Sequence, residues 1–300
     1  MISATVNTYN EERNLDRCLS SITSWVDEIV IIDMGSTDDT IKKAKQYTDK
    51  IFHHPYTGFV EPARNFAIEK TKGEWILLID ADEEIPKELK TIINSLIKNS
   101  TKSFFRMPRK NIIFGKWIRH AYWWPDYQIR LFKKGSVVWS DKIHSVPLTR
   151  GEGFDLDPDE KNAIIHYNYQ TIGQFVTRLN QYSNIQAKEL YIAGRKFSWT
   201  DLIRYPTQEF LSRFFEGQGY KDGLHGLSLS LLQAVSTLIL YAKLWELEGF
   251  TEEKIKIGEL QNELKERNRQ ENYWFIEERL KPHTPFLSKL RLKVERKFNP

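Results

Sequence analysis

Two aspartates, Asp80 and Asp82, follow the apolar run Trp75-Ile76-Leu77-Leu78-Ile79 and precede Glu83-Glu84. A buried strand ending in an Asp-x-Asp triplet delivers two carboxylates to a sheet edge. Oxygen ligands of that kind take a hard divalent cation, which can bridge to a diphosphate. The plainer reading is strand-end solvation, with Asp82 capping a helix near Pro86, because proline is welcome in a first turn. Asp33 ends a second apolar run, Glu28-Ile29-Val30-Ile31-Ile32. It fits turn chemistry ahead of Ser36, or a carboxylate that accepts a hydrogen bond from a nucleobase imide. Arg64 and Asn65 fit either a surface pair or contacts to phosphate and ribose. Asp126 stands between Trp123-Trp124-Pro125 and a β-prone run, where apolar and aromatic neighbours are expected to raise a carboxylate pKa. The other reading of Asp126 is a strand-start turn residue.

The elements that must hold these groups alternate through the first hundred residues. Ile2 to Val6 reads as a strand, and a helix from Glu11 to Ser24 carries Leu15, Leu19 and Ile22 at helical spacing. The strand ending at Asp33 leads into a turn where Ser36 and Asp39 fit a capping box. The pattern then predicts a helix to about Tyr47, a strand over Lys50 to Phe52, a helix from Pro62 to Thr71, and the strand ending at Asp80. Near-continuous apolar strands separated by helices imply a mostly parallel sheet covered on both faces. Such sheets bind ligands at the carboxyl ends of their strands, where Asn7, Asp33 and Asp80 all fall.

From Phe104 to Val146 short aromatic, β-prone pieces predict the rest of a mixed sheet, and after Thr171 the chain reads as helical. The organisation expected is a catalytic domain over residues 1–170, with a nucleotide-binding half (1–100) and an acceptor half (101–170), and a helical region over 171–300. Leu224 to Trp245 is uncharged from Gly226 to Ala242, but its serines make it too polar for a confident membrane span, which needs ~20 predominantly apolar residues. It fits a hairpin with the charged helix Thr251 to Leu280, or a helix in a membrane interface supported by the basic tail Lys289 to Lys297.

A net charge of +4 is too mild to argue for nucleic acid, but suits nucleotide diphosphates or an anionic membrane surface. Cys18 is the single cysteine, which excludes an internal disulfide and fits a reducing cytoplasmic setting. The chain opens on a strand pattern with no signal-peptide features. Arg106, Arg109, Lys110, Lys116, Arg119 and His120 are interleaved with Phe105, Phe114, Trp117, Tyr122, Trp123 and Trp124. Aromatic faces stack on sugars and the cations suit phosphorylated or lipid-linked acceptors. A loop packed by its tryptophans is the alternative. No nucleic-acid module accompanies the cluster.

Four stretches occur in a telling order: Asn7-Thr8-Tyr9-Asn10-Glu11-Glu12, Asp33-Met34-Gly35-Ser36-Thr37-Asp38-Asp39-Thr40, Ala63-Arg64-Asn65 and Asp80-Ala81-Asp82. Together they resemble family-two glycosyltransferases, α/β enzymes of GT-A fold that use nucleoside-diphosphate sugars and invert the anomeric centre. Trp124 to Phe132, Gly219 to Gly223 and Lys243 to Glu246 look like the lipopolysaccharide-core glucosyltransferase subgroup, over roughly residues 1–250. The resemblance implies that Thr8 and Glu11 border the uridine and that Asp33 binds the base with Arg64 nearby. Asp80 would contact ribose or metal, and Asp82 would be the main protein ligand of Mg2+ or Mn2+. His144 fits the metal shell or the diphosphate, or else a packed structural histidine.

Inverting transfer also needs a base for the acceptor hydroxyl. Asp126 is the leading candidate, with Glu83 and Glu84 as fallbacks. The implied partners are a UDP-sugar donor and a glycan, lipid-linked or glycolipid acceptor. There are two departures. The proline usual before the Tyr-Asn-Glu run is replaced by Asn7-Thr8, and the subgroup's His-Glu pair is His144-Ser145. The rival readings are a nucleotide-binding scaffold without catalysis and a transferase with a protein acceptor. A nucleotidyltransferase would place a glycine-rich phosphate loop after the first strand, and none is there.

Overall fold

Every residue of β1 (Ile2–Thr8) and β2 (Glu28–Asp33) is buried, which is why both read as near-continuous apolar runs. The structure is a computed structural model that describes residues 1–56, 60–139 and 147–280. It divides into two compact units, residues 1–117 with 123–170 and residues 118–122 with 171–300.

In the first unit, α1 (Leu15–Ile22), α2 (Thr40–Ala44), β3 (Ile51–His53), α3 (Glu61–Lys70), β4 (Trp75–Asp80), β5 (Glu83–Glu84) and α4 (Lys87–Asn99) follow in order. Then come β6 (Phe104–Ile113), β7 (Lys116–Trp117), β8 (Asp126–Lys133), β9 (Val137–Val138), β10 (Leu148–Thr149), β11 (Gly153–Asp155) and β12 (Ile164–His166). The main sheet runs β3-β2-β1-β4-β8-β6-β12-β5, with β7 and β11 also paired to β6. β1 to β4 are mutually parallel, whereas β8 enters antiparallel between β4 and β6. Strand alternation sorts the core. Ala4, Val6, Ile31, Leu77 and Ile79 meet Leu15, Leu19 and Ile22 of α1 and Leu89 and Ile93 of α4 on one face. Val30 and Ile32 meet Ala63 and Ala67 of α3 on the other.

The second half of the sheet must curl. β4 ends at Asp80 and β5 begins at Glu83, yet β8, β6 and β12 lie between them in the sheet. Four strand spacings laid flat would span about 19 Å. Three Cα steps reach at most about 11 Å. The far edge therefore folds back on the end of β4 and forms a half-barrel whose concave side collects side chains from β4, β5, β6, β8 and β12.

Local differences from the sequence expectation have a common cause. α1 begins at Leu15, not Glu11, because Asn10 adopts φ 56° and residues 11–14 form a turn. The expected Ser36–Asp39 capping box does not form. Ser36 Oγ instead accepts the Asn10 N–H at 2.9 Å, Asp38 accepts the Glu12 N–H at 3.2 Å, and Glu12 accepts the Asp39 N–H at 3.1 Å. β1 and β2 are adjacent and parallel, so their C-terminal loops run side by side and satisfy each other's backbone.

In the second unit, α5 (Ile172–Ile192) starts with a capping box formed by Thr171 and Gln174. α6 (Asp201–Leu211) passes into a π-helical turn, Ser212–Glu216. α7 (Leu224–Leu247) packs against α5 and α6, and α8 (Ile257–Arg279) lies along α6. This corrects the expected hairpin of α7 with the charged helix, which starts later than Thr251. The reason is that α7 finds apolar partners in α5 and α6. Asp222 Oδ2 accepts the N–H groups of Arg119 at 3.0 Å and His120 at 2.8 Å, tying residues 118–122 into this unit. Among the described residues α7 is the one helix long and apolar enough to cross a membrane, with mean hydropathy 1.5. Leu224, Leu231, Val235 and Leu238 are exposed along one face of it.

Candidate active site

Thr8 and Asp33 end adjacent parallel strands and face each other in register. Thr8 Oγ1 lies 3.4 Å from Asp33 Oδ1, and the Asp33 carboxylate accepts the N–H groups of Gly35 at 3.0 Å and Ser36 at 3.1 Å. Asp33 therefore fills the turn role, at the carboxyl end of β2. Glu11 donates its N–H to Thr40 Oγ1 at 2.8 Å and accepts from Asn14 at 2.8 Å, so it braces the same rim. Tyr9 stacks on Tyr56 with ring centroids 4.2 Å apart.

On the concave side of the half-barrel a polar network runs from Arg64 to Asp82. Arg64 donates to Asp80 at 3.1 Å. The Asp80 carboxylate is also held by Arg130, which donates to Glu83 at 2.6 Å. Glu83 accepts the Asp80 N–H at 2.9 Å and lies 3.5 Å from Arg109. Arg109 pairs with Asp126 at 2.6 Å through one guanidinium nitrogen and at 2.9 Å through Nε. Asn111 donates to Asp126 at 3.1 Å and to the Trp123 carbonyl at 2.9 Å. His166 Nδ1 is 2.6 Å from Asn111 Oδ1, and His166 Nε2 is 3.5 Å from Asp82 Oδ2. Glu83, Asn111 and Arg130 are essentially sealed from water. Buried charges persist in such a site only when paired and hydrogen-bonded, as these are.

The network sets the tautomer of His166. Asn111 spends its N–H groups on two acceptors, so its Oδ1 must accept, and His166 Nδ1 must be the donor. Nε2 then presents a lone pair to the Asp82 carboxylate. Two lone-pair atoms facing each other at 3.5 Å are reconciled by a shared proton or by a cation. A carboxylate oxygen suits Mn2+ or Mg2+, and an imidazole nitrogen suits Mn2+ rather than the oxygen-preferring Mg2+, so the residues present fit Mn2+ best of the two expected metals. Among the described residues no three His, Cys, Asp or Glu side chains form a metal group. Asp80 is less available than its place in the triplet suggests, because two arginines occupy its oxygens. Burial works against its charge, but Arg130 and then Arg64 outweigh that and hold its carboxyl far below the usual range.

The pKa expected for Asp126 is corrected. Burial raises it, but the Arg109 charge, with hydrogen bonds from Asn111 and Gln128, lowers it below the ordinary value of 3.8. Its aromatic neighbours in sequence do not decide the sign, because Arg109 sits directly opposite it in the β6/β8 register. Asp126 is the first residue of β8, and its side chain keeps 23% exposure. Glu83, a fallback base, is sealed behind Arg109 and Arg130. Glu84 accepts from the Tyr167 hydroxyl at 2.9 Å.

The cation strip is also corrected. Arg106 pairs with Asp155, Arg109 with Asp126, and Lys110 with Glu160 while lying 4.7 Å over the Trp117 ring. His120 and the Arg119 backbone meet Asp222. Four of the strip's six cations, Arg106, Arg109, Lys110 and His120, thus each face a carboxylate. His144 and the basic tail lie outside the described residues.

Asn111, Arg130 and His166 join the site without having been singled out for it by sequence, and Arg109, expected in the acceptor strip, instead pairs with Asp126. The available signal was parity. Arg109 and Asn111 alternate along one face of a strand, and His166 closes the short run Ile164-Ile165.

A family profile for glycosyl transferase family 2 matches residues 3–154. An uncharacterized glycosyltransferase of Rickettsia felis is 30% identical over 258 residues, which is 82% of this chain and 89% of that protein. The lipopolysaccharide core biosynthesis glycosyltransferase LpsC of Rhizobium meliloti is 25% identical over 82% of this chain and 92% of its own length. Among solved structures, S. aureus TarS 1–349 in complex with UDP-GlcNAc matches with a TM-score of 0.42 at 15% identity, over 85% of this chain and 94% of that one. The chain belongs to glycosyl transferase family 2, and it is a glycosyltransferase with the α/β GT-A class of fold.

Proposed function

We propose that the chain moves a hexose from a UDP-sugar to a glycan or glycolipid acceptor of the cell envelope, with inversion and with Mg2+ or Mn2+. The observation that carries this is the Asp82–His166 donor pair set at the edge where β1, β2 and β4 end, with Asp126 on the same network. The uridine choice rests on the family resemblance and on the capacity of Asp33 to accept from an imide. The envelope acceptor is suggested by the name of the Rhizobium relative.

In this reading Thr8, Glu11 and Asp33 form the rim for the nucleoside, and Arg64 neutralises Asp80 beside it. Asp82 and His166 hold the cation, which when bound offsets the charge developing on the departing diphosphate. Asp126 accepts the acceptor hydroxyl's proton through Oδ1, whose partner among the described residues is Gln128 at 3.0 Å. The acceptor's own hydroxyl oxygen attacks C1 from the face opposite the diphosphate, the C1–O bond to the diphosphate breaks with its electron pair leaving on the diphosphate, and the configuration inverts.

The test is calorimetric titration with UDP, with and without Mn2+. Micromolar binding that requires the metal is expected. Asp82→Ala should weaken it by about 100-fold or more, roughly 2.7 kcal/mol, with an unchanged melting temperature. UDP binding that ignores both chelator and Asp82→Ala would remove the metal from the reading.

The exposed stripe of α7 supports an anionic membrane surface as a partner. The protein should co-float with vesicles rich in phosphatidylglycerol, and Leu231→Glu with Val235→Glu should abolish this. Failure of the unaltered protein to float would discard the lipid surface.

A further inference from the structure

Asn7 is the penultimate residue of β1, in register with Asp80 on one side and Ile32 on the other. Alternation along β1 turns Ala4 and Val6 into the core under α1 and α4, and so turns Asn7 toward the face that α3 covers. Asn7 is 5% exposed, and neither its Nδ2 nor its Oδ1 has a hydrogen-bond partner among the described residues. Its neighbours' polar groups are spoken for, since Arg64 and Arg130 occupy Asp80. The Nε of Arg64, the residue bridging to Asp80, is likewise unpartnered. Buried amides are almost always satisfied, and one left unpaired at both ends is destabilising. An apolar side chain would serve the fold better here. Asp80, at the same level of the sheet, keeps 23% side-chain exposure, so Asn7 sits one side chain from the ligand-binding edge.

We infer that Asn7 is a specificity-determining contact for the nucleoside half of the donor, donating through Nδ2 and accepting through Oδ1. A partner that both donates and accepts is required. The imide edge of uracil and a ribose hydroxyl each qualify. The inference rests on the donor-site reading above, and it explains why this chain keeps a buried, unpaired amide here.

The experiment titrates the unaltered protein and Asn7→Leu with UDP, 2′-deoxy-UDP and 3-methyl-UDP in the presence of Mn2+, alongside melting curves without nucleotide. Asn7→Leu should weaken UDP by about 10- to 100-fold, the worth of two hydrogen bonds, while melting at or above the temperature of the unaltered protein. The unaltered protein should lose a similar factor for whichever analogue lacks the partner group, and Asn7→Leu should no longer distinguish that analogue from UDP. Loss with 2′-deoxy-UDP assigns the ribose, and loss with 3-methyl-UDP assigns the base. Equal UDP affinity in Asn7→Leu overturns the inference, as does a loss matched by a lower melting temperature. If Asn7→Leu does not fold, equal affinity of the unaltered protein for all three nucleotides overturns it instead. No affinity for UDP in the unaltered protein removes the donor-site reading itself.

Discussion

Replacing Arg130 with methionine is expected to lower the free energy of unfolding by about 3–5 kcal/mol, because breaking a buried ion pair leaves uncompensated charge behind. Arg130 is 1% exposed and holds both Asp80 and Glu83. Methionine keeps much of the length and apolar volume, so the loss reports charge and not a cavity. Arg64 and Arg109 remain as partial partners, which is why the effect is not larger. The pH dependence should change as well. In the unaltered protein the Asp80 carboxyl lies far below its ordinary value. It therefore contributes stability that is fully present above about pH 3.9 and is lost as pH falls through the lower folded value. With Arg130 gone, the carboxylates face each other with less positive charge. Acidification should then recover part of the lost stability. Denaturant titrations from pH 4 to 8 measure both effects. A loss below about 1 kcal/mol would mean that the half-barrel interior readily solvates these groups.

The second large effect is on turnover. Asp126→Asn should lower kcat by about 10²- to 10⁴-fold, the usual worth of a positioned general base, while UDP affinity changes by less than about twofold. Asparagine keeps the size; its one carbonyl oxygen can still accept from Asn111, while its NH2 meets Gln128 once that amide turns its oxygen to accept, so the donor-side geometry is preserved. Arg109 loses its charged partner, and a modest fall in melting temperature is expected with it. The direction of the Asp126 shift fixes the acid limb of the pH–rate profile. With Arg109, Asn111 and Gln128 outweighing burial, the base stays deprotonated down to its ordinary value of 3.8 and below. kcat/KM should therefore be flat through mildly acidic pH and fall only under about pH 4. Unchanged turnover in Asp126→Asn, or an acid limb near neutrality, would move the base elsewhere.

The sequence by itself indicated β1 to β4 and α1 to α3, though neither β5 nor the extent of α4, because doubly covered parallel strands and amphipathic helices record their burial in consecutive residues. It placed Asp33, Asp80 and Asp82 at strand ends for the same reason, and the order of four short stretches was enough to indicate the family. Only the tertiary structure decided which charges meet. The two-residue link between β4 and β5 forces the sheet to curl, and that curl brings Asn111 and His166 to Asp82 across 29 and 84 positions of chain. No local pattern encodes so long a closure. Arg109 reverses the expected shift of Asp126 through a cross-strand register, and α7 chooses α5 and α6 over its sequence neighbour. Burial along one element is a local property of the chain, but electrostatic sign and helix partnership depend on distances between elements, and only packing sets those.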